Sequence, residues 1–511
     1  MKDKLKFDLI FIFLIAVVLR LFFLNKIGIW YDDAVSISFA EHSWKEFFLH
    51  RDVLKPVFYS ILKVWVAFVG DSNVSLRILP VFLGALCPVF LYCLVKDLFD
   101  RKAAFLSGFL LSVSVFHINY SQQVKEYSLF VLLVILSFWV LIKIVIKDKR
   151  YFFSLFLINT LIIGTHPIGI FIVGAETLCF LFIIKTLSKK KRSELVLVFA
   201  GNILEACCVI YGGVIMNIAE MNMTYVEKFN VQSLWETIQA FVYGGPRQIQ
   251  GGTGVEIKSV FMPIFKVVSL LHIGSLIVGI YFLCKENLIK RVIVFFWLSA
   301  LPLGMTLCSL FFCDIYVVKY SLVSAAAYYI LFVNMIRQTP GFVQHFIVTG
   351  VLIVNVFALH AYYRNVMPLE WENAADYVKT FVSQKDMFLF LPSEQLLPFW
   401  YYFSKNKNQR LKKVESDIAP HQSDEVCSYE IEGYKVKCFE KQSGEKYIKE
   451  HIENFSYLKN RYVAVMSPFW PGNERSCVAV YDFLKKNYVL QEENYFEKIG
   501  VRVCFFKENF E

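Results

Sequence analysis

Apolar stretches long enough to cross a bilayer recur along this chain, and clusters of basic residues separate them. A hydrocarbon core of about 30 Å takes roughly 20 apolar residues of helix. The pattern predicts spans near 7–25, 77–95, 103–119, 127–146, 151–165, 168–187, 195–216, 260–283, 291–312, 319–336 and 343–362. Residues 8–24 contain Arg20 and lack a small-x-small cleavage site ahead of Trp30, so they read as an uncleaved first span. Lys2, Lys4 and Lys6, then Arg101–Lys102, Lys147–Arg150, Lys189–Arg192, Lys285–Arg291 and Arg337, fall in every second loop. The positive-inside rule makes that side cytoplasmic, which places the amino terminus inside and everything after residue 363 outside.

Three outward segments exceed simple turns. Residues 26–76 are rich in aromatics and hold an amphipathic stretch at 55–69, read as an interfacial helix rather than a twelfth span because of Lys55 and Lys63. Residues 217–259 include a glycine-rich portion from Gly244 to Gly254 that reads as a mobile loop. In the tail, 364–511, polar residues return. Trp371 to Phe381 and Val478 to Lys486 read as helices, Met387 to Leu391 and Tyr462 to Met466 as strands, together a small α/β domain. The expected organisation is a transmembrane domain over 1–363 and an extracytoplasmic domain over 364–511. Cys427, Cys438, Cys477 and Cys504 would lie in a disulfide-permissive compartment, with pairing open.

Composition agrees with this. Of 511 residues, 57% are hydrophobic and 19% charged, and Phe occurs 51 times, against about 45–50% and about 25% in soluble domains. The formal charge of +10 sits in short interspan clusters rather than on one basic face, which argues against nucleic acid as a partner. No CxxC, HExxH, Walker or GxGxxG pattern occurs, so a nucleotide-driven pump is not expected.

Candidate chemistry gathers at the outward ends of the spans. Trp30-Tyr-Asp-Asp sets Asp32 and Asp33 at the interface. They read either as caps of a short helix, Ala34 to His42, or as a general base or headgroup ligand. Lys55 precedes Pro56, which is suited to begin a helix. It reads as a snorkelling anchor or as a point charge for a phosphate. The turn from Asn119 to Ser128 packs amides, Lys125 and two tyrosines between two spans. It reads as a polar turn or a ligand contact. His166 lies at an outer helix end, where an interfacial residue is the plainer reading. Lys319 opens an apolar span on the outward side, where an ionisable group at membrane depth is a functional candidate.

These pieces, in order, resemble the polyprenyl-phosphate-dependent glycosyltransferases of the GT-C fold, family 39 type, which include protein O-mannosyltransferases and lipid A aminoarabinose transferases. The family's Trp-x-Asp-Glu is matched by Trp30-Tyr31-Asp32-Asp33, and its Lys/His-Pro-Pro-Leu-Tyr-Tyr by Lys55-Pro56-Val57-Phe58-Tyr59. Phe-Gly-x-Ser and Arg-Leu-Pro are matched by Val69-Gly70-Asp71-Ser72 and Arg77-Ile78-Leu79-Pro80. Tyr-Ser-Gln-Glu-Ala-Arg-x-Tyr becomes Tyr120 to Tyr127, a late Arg-Tyr pair becomes Lys319-Tyr320, and Trp371 with Ala374-Ala375 opens the tail. Asp33 and Gln123 stand where glutamates are usual, and Lys125 and Lys319 where arginines are. Lysine keeps the charge without the bidentate fork.

The resemblance implies an α-helical polytopic membrane protein with about eleven transmembrane helices and a C-terminal α/β domain. It implies inverting transfer of a sugar from a polyprenyl-phosphate donor to a hydroxyl of a lipid, protein or polysaccharide acceptor. Asp32 would be the base, with Asp33 beside it. Lys55, Lys125 and Lys319 would meet the donor phosphate, and Tyr59, Tyr120, Gln123, Tyr127, His166 and Tyr320 would line the substrate. A divalent metal is possible, and no other cofactor is implied. A cell (inner) membrane is the expected location. A transporter or flippase of a lipid-linked sugar is the alternative, disfavoured because no internal repeat is evident.

Overall fold

The computed structural model describes residues 2–49, 55–215, 228–245, 262–364, 370–384, 386–391, 395–404, 426–431, 434–439, 462–466, 474–496 and 501–508. Among them, nine helices are long and apolar enough to cross a membrane, from Lys4–Lys26 to Gly341–Arg364. The predicted span 103–119 is a broken pair, Arg101–Val113 and Val115–Ser121, bent by 57°. Ser114 breaks it by adopting an extended backbone (ψ 115°), and its hydroxyl accepts from His117 N at 3.4 Å to cap the second piece. The predicted span 151–165 is the 14-residue helix Phe152–Thr165, about 21 Å long at the usual helical rise and so short of a full bilayer core. The stretch at 55–69 is likewise a single short helix, Pro56–Val69, opened by Pro56.

The basic loops do meet at one end. Arg101 pairs with Asp8 at 2.7 Å, Arg337 with Asp100 at 2.7 Å and Lys191 with Asp148 at 2.6 Å. Two groups of buried polar side chains join the spans. Arg20 donates to the carbonyls of Ala16 (2.9 Å) and Ser112 (3.1 Å) and to Ser121 Oγ (3.2 Å), and it lies 2.7 Å from His117 Nδ1. It thereby ties the broken pair to the first span. Gly84 lets the short piece come close, since a Cβ there would stand 2.7 Å from Ser121 Cβ. Glu176 meets Ser137 at 2.6 Å and Asn159 at 2.8 Å, joining three helices.

At the end opposite the basic loops lie the short helices Tyr31–Glu41 and Trp44–Leu49 and the tail. Among the described residues the tail carries a six-stranded sheet in the order β2-β3-β1-β4-β6-β5. Its strands are β1 (Met387–Leu391), β2 (Val426–Ile431), β3 (Tyr434–Phe439), β4 (Tyr462–Met466), β5 (Tyr488–Phe496) and β6 (Val501–Glu508). β1 runs parallel to both its neighbours and every other pairing is antiparallel. β1 and β4, the two strands read from sequence, are buried at every position. The helices Glu370–Phe381 and Glu474–Asn487 contain those predicted at 371–381 and 478–486. The sheet register sets Cys427 opposite Cys438. An aromatic helix, Leu396–Phe403, docks the tail on the loops: Tyr402 Oη accepts from Ile29 N (2.9 Å) and Tyr401 Oη donates to Asp71 O (2.9 Å). Within 217–259 the described part is the helix Val231–Tyr243, which ends on Gly244 and Gly245 at φ 97° and 75°, backbone that glycine tolerates. The rest of the predicted glycine-rich mobile loop lies outside the described residues.

Candidate active site

The helix expected at Ala34 to His42 begins three residues earlier, at Tyr31, with Trp30 at the N-cap. Neither aspartate is the N-cap residue itself; both sit inside the first helical turn, where carboxylates complement the helix dipole, and Asp33, at the third helical position, caps the helix by accepting from Trp30 N in a capping box. They then diverge. Asp33 is buried; its Oδ2 accepts from Arg77 Nη2 (2.8 Å) and Trp30 N (3.4 Å), and its Oδ1 from Val124 N (2.7 Å). Arg77, also buried, donates to Gly28 O (2.7 Å), Gln122 O (2.5 Å) and Asn73 Oδ1 (2.9 Å). The Arg77–Asp33 pair thus locks segment 28–33 to turn 122–124. Gln122 adds to the lock by donating to Arg20 O (2.8 Å) and Phe22 O (3.1 Å) while accepting from Tyr362 Oη (2.5 Å).

Asp32 faces the other way. Its side chain keeps 33% exposure, Lys319 Nζ lies 3.4 Å from Oδ2, and Lys125 Nζ lies 3.9 Å from Oδ1. A second pair stands beside this one. Lys55, at the N-cap of Pro56–Val69, puts Nζ 2.5 Å from Glu126 Oε1, and His166 Nε2 lies 3.7 Å from the same oxygen. Aromatic rings wall the group. Lys319 Nζ sits 5.7 Å from the Tyr127 ring and 5.8 Å from that of Tyr320. Tyr320 packs edge-on against His166 (4.7 Å), Tyr120 against Tyr127 (5.0 Å), and Tyr59 stacks on Phe39 (4.7 Å). Gln123 donates to Asn119 Oδ1 at 3.4 Å, within its own turn.

Five loops separated by up to 287 positions therefore bring Asp32, Lys55, Lys125, His166 and Lys319 together. Glu126, Arg77 and Gln122 belong to the same assembly and were not picked out as site residues from the sequence. Glu126 carries the clearest signal in retrospect, an acid among hydrogen-bonding groups on a short turn between spans.

The charges hold one another. Burial works against ionisation of Asp32, but Lys125, Lys319 and Lys55 outweigh it and keep the carboxyl well below its usual range. Burial is likewise overcome at Glu126, chiefly by Lys55, which brings that carboxyl to about 2. His166 is driven well below the ordinary imidazole range by burial and then by Lys55. With His166 neutral, three ammonium groups against two carboxylates leave one net positive charge. Such a centre suits an anion with one or two negative charges. Among the described residues no three His, Cys, Asp or Glu side chains gather as metal ligands. The Asp32 oxygens face two lysines instead.

Several known proteins resemble this chain in part or along its length. Residues 55–211 match the family model described as dolichyl-phosphate-mannose-protein mannosyltransferase. YkcB of Bacillus subtilis (strain 168), provisionally assigned as a mannosyltransferase, is 25% identical over 265 residues, 49% of this chain and 36% of that protein. The solved structure of ArnT from Cupriavidus metallidurans, bound to undecaprenyl phosphate, aligns over 97% of both chains at a TM-score of 0.56 and 11% identity. The chain has the GT-C fold. The Archaeoglobus fulgidus oligosaccharyltransferase AglB, in complex with an inhibitory peptide and a dolichol-phosphate, aligns over 98% of this GT-C chain and 74% of its own at a TM-score of 0.54 and 10% identity.

Proposed function

We propose that this GT-C chain is a membrane glycosyltransferase that moves a sugar from a polyprenyl-phosphate donor to an acceptor hydroxyl on the extracytoplasmic face. The observation that carries the reading is Asp32 held between Lys125 and Lys319, with Lys55 close by, at the span ends opposite the basic loops. The lipid-phosphate ligands of ArnT and AglB add weight to it.

The polyprenyl chain stays in the bilayer and brings its phosphate to the lysines. Asp32 takes the proton from the acceptor hydroxyl as its oxygen bonds to the anomeric carbon, and the bond from that carbon to phosphate oxygen breaks. One base without a covalent intermediate inverts the anomeric centre. Negative charge grows on the leaving phosphate, where preorganised ammonium groups in a partly dry site act strongly. The Arg77–Asp33 joint fixes the helix that presents Asp32. By the positive-inside rule the basic loops are cytoplasmic, so the site and tail face outward, with a cell membrane as the location.

Purified protein is to be incubated with undecaprenyl-phosphate mannose, glucose and aminoarabinose and a membrane extract as acceptor. The expected result is stoichiometric release of undecaprenyl phosphate and a product of inverted configuration by NMR. Donor binding without release under any acceptor condition would instead favour a transporter of the lipid-linked sugar.

A further inference from the structure

Two buried polar atoms beside Lys55 have no hydrogen-bond partner among the described residues, Glu126 Oε2 and His166 Nε2. Both side chains are more than nine-tenths buried. An orphaned buried polar atom is costly, more so when charged, so a pair of them in one wall is unfavourable unless a ligand satisfies them.

Their chemical characters are opposite. Ile168 N donates to His166 Nδ1 at 3.3 Å, so the neutral ring carries its hydrogen on Nε2 and offers a donor there. Phe130 (5.8 Å) and Tyr320 (4.7 Å) pack against the ring and fix its plane. Glu126, with Oε1 committed to Lys55 at 2.5 Å, offers Oε2 as an acceptor. Nε2 and Oε1 are 3.7 Å apart, too far for a hydrogen bond between the two side chains.

We propose that Glu126 and His166 recognise a hydroxyl group of the donor sugar, which accepts from His166 Nε2 and donates to Glu126 Oε2. This rests on the transferase reading above. A hydroxyl, with one hydrogen and two lone pairs, carries both the donor that Glu126 Oε2 needs and the acceptor that His166 Nε2 needs. An ammonium has hydrogens for Glu126 but no lone pair for His166, so the pair selects a hydroxylated sugar over an amino sugar at that position. Lys55 places the subsite on the donor side, because the ammonium that neutralises Glu126 is also one of the three that meet the phosphate. Asp32, across the lysines, stays free for the acceptor.

The test uses full-length protein, the undecaprenyl-phosphate hexose it turns over, and the set of that donor lacking one hydroxyl each. Wild-type protein is expected to lose at least about 100-fold in kcat/KM on one deoxy donor, since sites built around a hydroxyl reject analogues lacking it strongly. Removing an acceptor hydroxyl other than the reacting one is expected to leave that penalty unchanged. Glu126→Gln and His166→Phe are expected to lose activity on the full donor, with no further loss on the discriminated deoxy donor. Near-equal use of all deoxy donors by wild-type protein overturns the inference without any variant having to fold. Penalties that multiply between variant and deoxy donor overturn it as well. If wild-type protein transfers nothing from any donor, the transferase reading falls first and the inference with it.

Discussion

Asp32 and Asp33 are neighbours on one helical turn, yet the regions around them are built in opposite ways. Around Asp33 the structure is closed: both oxygens are bonded, and Arg77 is shared among four acceptors. Around Asp32 it is open, with ammonium groups at 3.4 and 3.9 Å and a third of the side chain exposed. A bonded carboxylate places backbone; a loosely paired one keeps an oxygen for something else. The doublet therefore reads as a rigid joint holding a working group.

The largest separation between the two regions is expected from Asp32→Asn. It removes a base worth about 10²–10⁴-fold in turnover and, since only partly exposed ion pairs are lost with it, lowers the melting temperature by less than Arg77→Met does. An equally active variant would strip Asp32 of its role. Arg77→Met should act the other way by stranding Asp33 in the interior, at a cost of about 3–5 kcal/mol for one partner lost from a buried pair. Thermal unfolding in detergent measures it, and an unchanged transition would mean the joint holds nothing. Lys319→Ala should raise KM for the donor by about 10–100-fold, the range of a charge-assisted contact, and Lys319→Arg should recover most of it. Equal KM in all three proteins would remove the phosphate from Lys319.

The smallest effect is with pH. Because the Asp32 and Glu126 carboxyls are depressed, their pairs stabilise the fold fully above the ordinary carboxylate range and lose that contribution only as pH falls through the lowered values, about 2 for Glu126. His166 stays neutral because its value is lowered as well. kcat/KM should therefore stay flat between pH 7.5 and 5, and a break near 6.5 would mean that His166 titrates in the free protein.

Legibility from sequence was high where one local pattern sufficed. Apolar length marked the spans, and the run Met387 to Leu391 marked a central strand. Lys319 stood out because a cation at that span end defies the loop-charge alternation, and Lys125 because its short turn is dense in hydrogen-bonding groups. Where partners are distant, the sequence is silent. Arg77 sits in a recognised motif, but its hold on Asp33 spans 44 positions. Glu126 lay between two chosen residues, and its partner Lys55 is 71 positions away. The break at Ser114 was hidden because apolar character continues through it, and β5 was missed because the polar run Gln491 to Asn494 interrupts any alternation.

Donor binding and sugar release, measured side by side on folded Asp32→Asn protein, test the account most directly. Asparagine removes the charge that competes for Lys125 and Lys319, so the donor should bind at least as tightly as to wild type while release falls by about 10²–10⁴-fold. Release at the wild-type rate, or a parallel collapse of binding and release, would contradict a base poised between two phosphate-binding lysines.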